Sequence, residues 1–233
     1  LATDHWWTGR AAGRANVINW RTRMFTLYFS PNACSLASHI ALAESGLPYQ
    51  LRRLQFAENE QRSPEYLKHN PNGRVPALVT DKGTLIESPA ILAFIAQAAP
   101  EAKLAPLDDP FAFARMQGFN SFIASTVHVA YAHRRRGYRW AEKQESLDDM
   151  AAKMPQNMRD SFTIIENDLF TGPWVLGEEY SVADAYLFTM ADWLGGVGID
   201  INDFPNVAAH YRRMRHRPAV QRALETEKEA AAA

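Results

Sequence analysis

FTLYFSPNACSLASHIALAES, residues 25–45, changes its hydrophobic period part-way along. Phe25 to Phe29 alternates, the two-residue repeat of a half-buried strand. Ser30 to Ala33, SPNA, reads as a turn. From Cys34 onward Leu36, Ile40 and Leu42 return at helical spacing, and Gly46 with Pro48 ends the helix. A strand feeding directly into a helix is the building unit of a layered α/β fold.

Reading outward, YQLRRLQ (Tyr49 to Gln55) predicts a second strand, and Ser63-Pro64-Glu65 starts a short helix with an N-cap and a proline in its first turn. NPNGR is a turn, VPALVT a third strand, Asp81 to Gly83 a hairpin turn and TLI a fourth strand. Ser88-Pro89 repeats the cap-plus-proline pattern before AILAFIAQAA. The order over residues 24–100 is β-α-β-α-β-β-α, a compact α/β unit. PEAKLAPLDD, opening at Pro100, supplies a linker over residues 101–109. Residues 110–233 carry only helix signals, so an all-helical second domain is expected. Its helices run from Asp109-Pro110 towards His133, from Glu145 to Leu169, from Ser181 to Leu194, from Phe204 to Met214 and from Pro218 to Glu229. Ser181, with Asp184 three residues on, is a close variant of the capping box and reads as a folding device.

Residues 1–23 differ from the rest. They hold Arg10, Arg14, Arg21 and Arg23 against Asp4, and Trp6, Trp7 and Trp20 of the chain's six tryptophans. Without an apolar core they are no secretory signal. Their composition suits an organelle transit peptide or sequence lying before a start at Met24, and the three tryptophans are the expected anchors.

The 233-residue chain has 25 basic and 26 acidic side chains, so non-specific nucleic-acid binding is not expected. No run approaches the roughly 18–20 apolar residues of a membrane span. The single cysteine, Cys34, excludes an intrachain disulfide, a CxxC redox cycle and a cysteine metal cluster. It suits a reducing compartment, and the expected location is cytoplasmic.

Cys34 lies in the first turn of a helix, where free N–H groups and the helix dipole favour an anionic sulfur, its own or a ligand's. A small buried hydrophobe is the alternative reading. Ser35 offers a second donor. Val75-Pro76, if cis, would present Val75's backbone to a ligand. Glu87 and Ser88 place a carboxylate and a hydroxyl at a helix N-terminus, suited to a ligand ammonium and carboxylate.

Taken together, MFTLYFSPNACSLASHIALAESGLPY, NPNGRVPAL, LIESPAILAFIAQ and SVADAYLF resemble the glutathione transferase superfamily. The cysteine in SPNACSLASHIAL points to its bacterial, cysteine-bearing (beta-class-like) branch. The resemblance spans Met24 to about Ala230. It implies a thioredoxin-like first domain, a helical second domain, glutathione as co-substrate without a metal, a hydrophobic or aromatic electrophile as its partner, and a homodimer. It places Cys34 at the glutathione sulfur, Val75 and the cis-proline Pro76 at the cysteinyl backbone, and Glu87 with Ser88 at the γ-glutamyl end. His128 falls where the branch carries a histidine that reaches the thiol site. The chain departs from the family pattern at Val129, where lysine is common, and at Ser121, where asparagine is common. Arg62 is the candidate to replace a lysine that usually meets the glycyl carboxylate.

Arg134-Arg135-Arg136 and Arg139 form the densest basic run, read either as a solvated helix end or as an arginine-lined mouth for an acidic ligand. Trp193, Gly195 and Gly196 read as a packed helix end. The expected activity is attack of glutathione thiolate on an electrophile. The alternatives are thiol transfer through a Cys34 mixed disulfide, a specialised lyase, dehalogenase or isomerase, and a non-catalytic binding or structural protein.

Overall fold

The computed structural model describes residues 20–232. In chain order the first domain comprises β1 (Phe25–Phe29), α1 (Ser35–Ser45), β2 (Tyr49–Arg53), α2 (Pro64–Leu67), β3 (Ala77–Thr80), β4 (Gly83–Ile86) and α3 (Ser88–Ala98). The strands form one sheet in the order β2-β1-β3-β4. β1 is parallel to β2, with Leu27 opposite Leu51, and antiparallel to β3, with Leu27 opposite Leu78. A parallel pair needs a crossover, and α1 supplies it; β3 and β4 need only the hairpin turn. Because side chains alternate across a strand, Phe25, Leu27 and Phe29 enter the core with Ala41, Leu42 and Ile91. Tyr28 goes to the other face, packed on Tyr66 of α2.

Two strands are shorter than the sequence suggests. β2 stops at Arg53 because its partner ends there, with Phe29 opposite Arg53. β3 starts at Ala77, since Pro76 has no amide proton and the Val75 carbonyl accepts from Cys34.

The second domain holds α4 (Pro110–Phe122), α5 (His128–Arg136), α6 (Gln144–Ile164), α7 (Val182–Ala191), α8 (Pro205–Arg215) and α9 (Pro218–Ala232). The single helix expected towards His133 is in fact α4 and α5 joined through a π-helical turn, Ile123–Val127, and it continues to Arg136. Such turns insert a residue and re-aim the side chains that follow. α7 ends at Ala191, earlier than Leu194, and is buried along its whole length. Linker residue Leu104 is docked, its carbonyl accepting from Val182 N at 2.8 Å.

α1 carries the first domain into the second. Leu36 and Ile40 pack with Phe188, Met214 and Val220. Glu44 of α1 holds Arg217 through both carboxylate oxygens, at 2.6 and 3.0 Å, and the guanidinium lies 4.0 Å from the Tyr180 ring centroid. A forked, partly buried pair over an aromatic face contributes more than an exposed ion pair. Arg217→Ala is therefore expected to lower stability by about 2 kcal/mol. Urea unfolding checks this, and a shift below about 0.5 kcal/mol would show the clamp to be inert.

Of the N-terminal anchors, Trp20 packs edge-on against Phe94, with centroids 5.1 Å apart, while Trp6 and Trp7 lie outside the described residues. No helix among the described residues is long and apolar enough to cross a membrane.

Candidate active site

A cavity of about 520 Å³ opens between the domains, within the usual size for a small-molecule site. One wall is built by the strand-to-helix junctions of the first domain. Cys34 is the N-cap residue of α1, 7% exposed, and its thiol donates to the Val75 carbonyl at 3.3 Å. The Val75–Pro76 peptide is cis. Glu87 precedes α3 with φ 71°, a left-handed conformation uncommon outside glycine, and lines the cavity beside Ser88. No side chain caps α3, so its first amides are free to meet an anion, as the site chemistry of a helix N-terminus requires.

Burial decides the state of Cys34. It pushes the thiol up to about 11, against the opposing pull of Arg136's charge, the Cys34 backbone amide and the Ser88 hydroxyl; the Glu87 charge adds to the rise. The helix N-terminus does not make this cysteine an anion, contrary to the local reading of the sequence. Desolvation of this buried sulfur outweighs the partial charges around it. Cys34 is a thiol near neutral pH, and thus a donor.

The other wall belongs to the second domain. His128 opens α5, and its Nε2 lies 3.2 Å from an Nη of Arg136, which donates to it. Burial first, then the charges of Arg136, Arg74 and Arg139, push the imidazole down to about 3. His128 is therefore neutral at physiological pH. Trp193 stands edge-on to His128, centroids 5.4 Å apart, and lies 4.4 Å from Tyr131.

Two family models match the chain: the glutathione S-transferase N-terminal domain over residues 23–97 and the C-terminal domain over residues 119–218. Glutathione S-transferase GstA of Escherichia coli O157:H7 is 31% identical over 204 residues, covering 86% of this chain and 98% of its own. The chain belongs to the glutathione S-transferase family. A glutathione transferase homologue from Sulfitobacter, solved with bound glutathione, shares 44% identity at a TM-score of 0.85, over 87% of this chain and 98% of that one. The beta-class glutathione S-transferase of Sphingomonas chungbukensis shares 36% identity at a TM-score of 0.75, over 87% of this chain and 98% of that one.

Of the residues singled out in the sequence, this transferase brings Cys34, Val75, Pro76, Glu87, Ser88 and His128 to one cavity. Ser35 is not among them. Its hydroxyl is fully buried beneath the turn, accepting from Ser30 N and donating to Ser30 O, both at 3.3 Å, so it has no proton to offer the thiol site. Ser88 also differs from its expected role as a cap. Glu87 occupies the N-cap position, and the Ser88 hydroxyl acts on Cys34 and Tyr186.

The transferase site also contains groups the sequence left between two readings or passed over. Arg134, Arg135, Arg136 and Arg139 line the cavity and do not form a merely solvated helix end. Arg74 joins them, and Trp193 is a wall of the site as well as a packed residue, 9% exposed. Tyr186, in the SVADAYLF segment, reaches the same space from α7. The adjacency of Arg74 to Val75-Pro76 was the one available signal. Nothing in the spacing of Trp193 or Tyr186 announces a cavity. Among the described residues no group of three His, Cys, Asp or Glu side chains is placed to hold a metal ion.

Proposed function

We propose that this protein conjugates glutathione to an electrophilic carbon, and that it works as a member of the cysteine-bearing bacterial branch, with Cys34 as a hydrogen-bond donor to the glutathione sulfur. The carrying observation is a protonated Cys34 whose thiol donates to the Val75 carbonyl, a backbone group that a peptide ligand competes for.

The physical sequence is short. A glutathione cysteinyl amide pairing with the Val75 backbone takes over the carbonyl that Cys34 now occupies, and the freed S–H turns to the incoming sulfur. The γ-glutamyl carboxylate meets the uncapped amides of α3 with the Ser88 hydroxyl, and its ammonium meets Glu87. Arg136 favours negative charge at Cys34, so it favours a thiolate placed alongside in the same way. The proton of the glutathione thiol leaves to solvent, and the sulfur then attacks carbon. His128, neutral and engaged by Arg136, orients that guanidinium and carries no charge itself. A mixed-disulfide route asks for a Cys34 thiolate, the form that burial disfavours.

Cys34→Ala tests the reading. Loss of one hydrogen bond to an anionic sulfur is expected to cost about tenfold in kcat/KM for a chlorodinitrobenzene. Glutathione binding, followed by calorimetry, is expected to survive. Abolished conjugation with glutathione binding intact would return Cys34 to a covalent role, and a wild-type protein that does not bind glutathione would overturn the function itself.

A further inference from the structure

Six guanidinium groups face the cavity: Arg62 and Arg74 from the first domain, and Arg134, Arg135, Arg136 and Arg139 from the end of α5 and the turn after it. Glu87 is the one carboxylate on the same lining. Outside the cavity Arg21, Arg23, Arg159 and Arg217 each pair with a carboxylate. Among the described residues none of the six does. Arg136 donates to His128, Arg134 to the Gly196 carbonyl and Arg62 to the Asn72 carbonyl, all neutral acceptors. The Arg135 and Arg74 side chains have no hydrogen-bond acceptor among the described residues. Arg139 lies 6.0 Å from the Tyr138 ring centroid and has no anion.

Arg136 and Arg139 are partly buried and the other four are exposed at the rim; like charges gathered around one cavity without a counter-ion attract ligands of opposite charge. Arg136 shows the tension directly. It is half-buried, and burial together with the neighbouring Arg139 charge weakens its hold on its proton.

Glutathione answers only part of this demand. In the binding mode proposed above, its γ-glutamyl carboxylate lies at α3, and Arg62 with Arg74 stands on the same wall for the glycyl end. The α5 arginines stand on the opposite wall, with Arg136 reaching towards Cys34 and the Tyr131–Trp193 pair beside them. A co-substrate reacting at the sulfur must lie against that wall.

We infer that the second substrate is an anion: a flat, unsaturated or aromatic electrophile bearing a carboxylate, held by the α5 arginine group while its ring packs on Tyr131 and Trp193. This rests on the glutathione reading and adds a negative charge to the hydrophobic or aromatic electrophile that the family resemblance implies. For a chloronitrobenzoate the glutathione sulfur forms a C–S bond to the ring carbon. Chloride leaves with the bonding electron pair, the thiol proton goes to solvent, and the carboxylate is unchanged.

The test compares a chloronitrobenzoate with the corresponding neutral chloronitrobenzene, using wild type and the Arg135→Gln/Arg139→Gln double variant. Charge-assisted hydrogen bonds contribute about tenfold or more each. The ratio of kcat/KM for the carboxylated over the neutral substrate is thus expected to fall about fiftyfold in the double variant. In wild type that ratio is also expected to fall as salt is raised, because charge attraction at the mouth is screened.

Equal losses for both substrates, with a raised KM for glutathione, would mean that these arginines serve glutathione alone, and would overturn the inference. Calorimetry with S-carboxybenzyl-glutathione and S-benzyl-glutathione separates the two proposals without turnover. A preference for the carboxylated conjugate that the double variant loses supports the inference. Equal binding of both overturns it while leaving the glutathione site intact, and binding of neither overturns the glutathione reading.

Discussion

The Asp184→Ala protein is expected to lose about 3–5 kcal/mol of folding stability, the cost of removing one member of a buried charged network. Asp184 is fully buried at the start of α7 and serves four donors. It accepts from Ser181 N at 2.7 Å, from Val175 N at 2.8 Å, from Ser181 Oγ at 3.3 Å and from His210 Nε2 at 3.0 Å. The first of these, with Ser181 Oγ accepting from Ala183 N, completes the capping arrangement predicted from the sequence. The remainder reach the preceding loop and α8. Alanine would strand two amides and an imidazole in the buried interior, which costs far more than the roughly 1 kcal/mol of an ordinary cap. Chemical denaturation of the variant gives the number directly. If the variant is insoluble, Asp184→Asn provides the comparison: it keeps an acceptor and is expected to recover about half the loss. A loss below about 1 kcal/mol for alanine would show that the network is not a stability centre.

The second large effect concerns Cys34. With its thiol pushed up to about 11 by burial, the glutathione-free protein holds on the order of a hundredfold less thiolate at neutral pH than an ordinary cysteine. Alkylation by iodoacetamide is expected to be slow at neutral pH and to climb about tenfold per pH unit over the alkaline range. The charges around it fix the direction of two variants. Arg136 favours the thiolate, so Arg136→Gln raises the pKa further and slows alkylation at every pH below it. Glu87 opposes the thiolate, so Glu87→Gln lowers the pKa and speeds the reaction. For conjugation, Arg136→Gln removes the cation that favours the glutathione thiolate. It is expected to lower kcat/KM at neutral pH about 10- to 100-fold, with the deficit narrowing as pH rises. A flat pH profile for alkylation would mean that access, and not ionisation, limits the reaction. Rapid alkylation at neutral pH would contradict a protonated Cys34.

Much of this fold is legible in short-range patterns. The alternation in Phe25 to Phe29, the caps at Ser63 and Asp109 and the Ser181–Asp184 pair are local signals whose partners lie within a few residues, and the corresponding elements stand where those signals put them. Cys34, Val75 and Ser88 were legible as a set because each sits at an element boundary where backbone groups are left open. What could not be read depends on distance through space. The thiol's ionisation follows from how completely the folded chain buries it. The role of the arginines follows from the π-helical turn at Ile123–Val127, which no propensity marks and which leads into the helix that carries Arg136 towards Cys34. Ser35 was misplaced because consecutive residues at a helix start point in different directions. A neighbour of the reactive position is therefore a poor guess for a partner.

The two walls of the cavity also have a genetic consequence. Cys34, Val75, Glu87 and Ser88 lie in one stretch of chain, and His128, the four α5-end arginines and Trp193 in a later one that does not interleave with it. Within the second stretch, the four arginines fall inside a six-residue segment, Arg134 to Arg139, largely separate from the α1–α9 packing that joins the domains. A recombination or a few substitutions confined to that short segment would exchange one acceptor preference for another, while the inherited thiol-binding half and the scaffold beneath it stayed as they were.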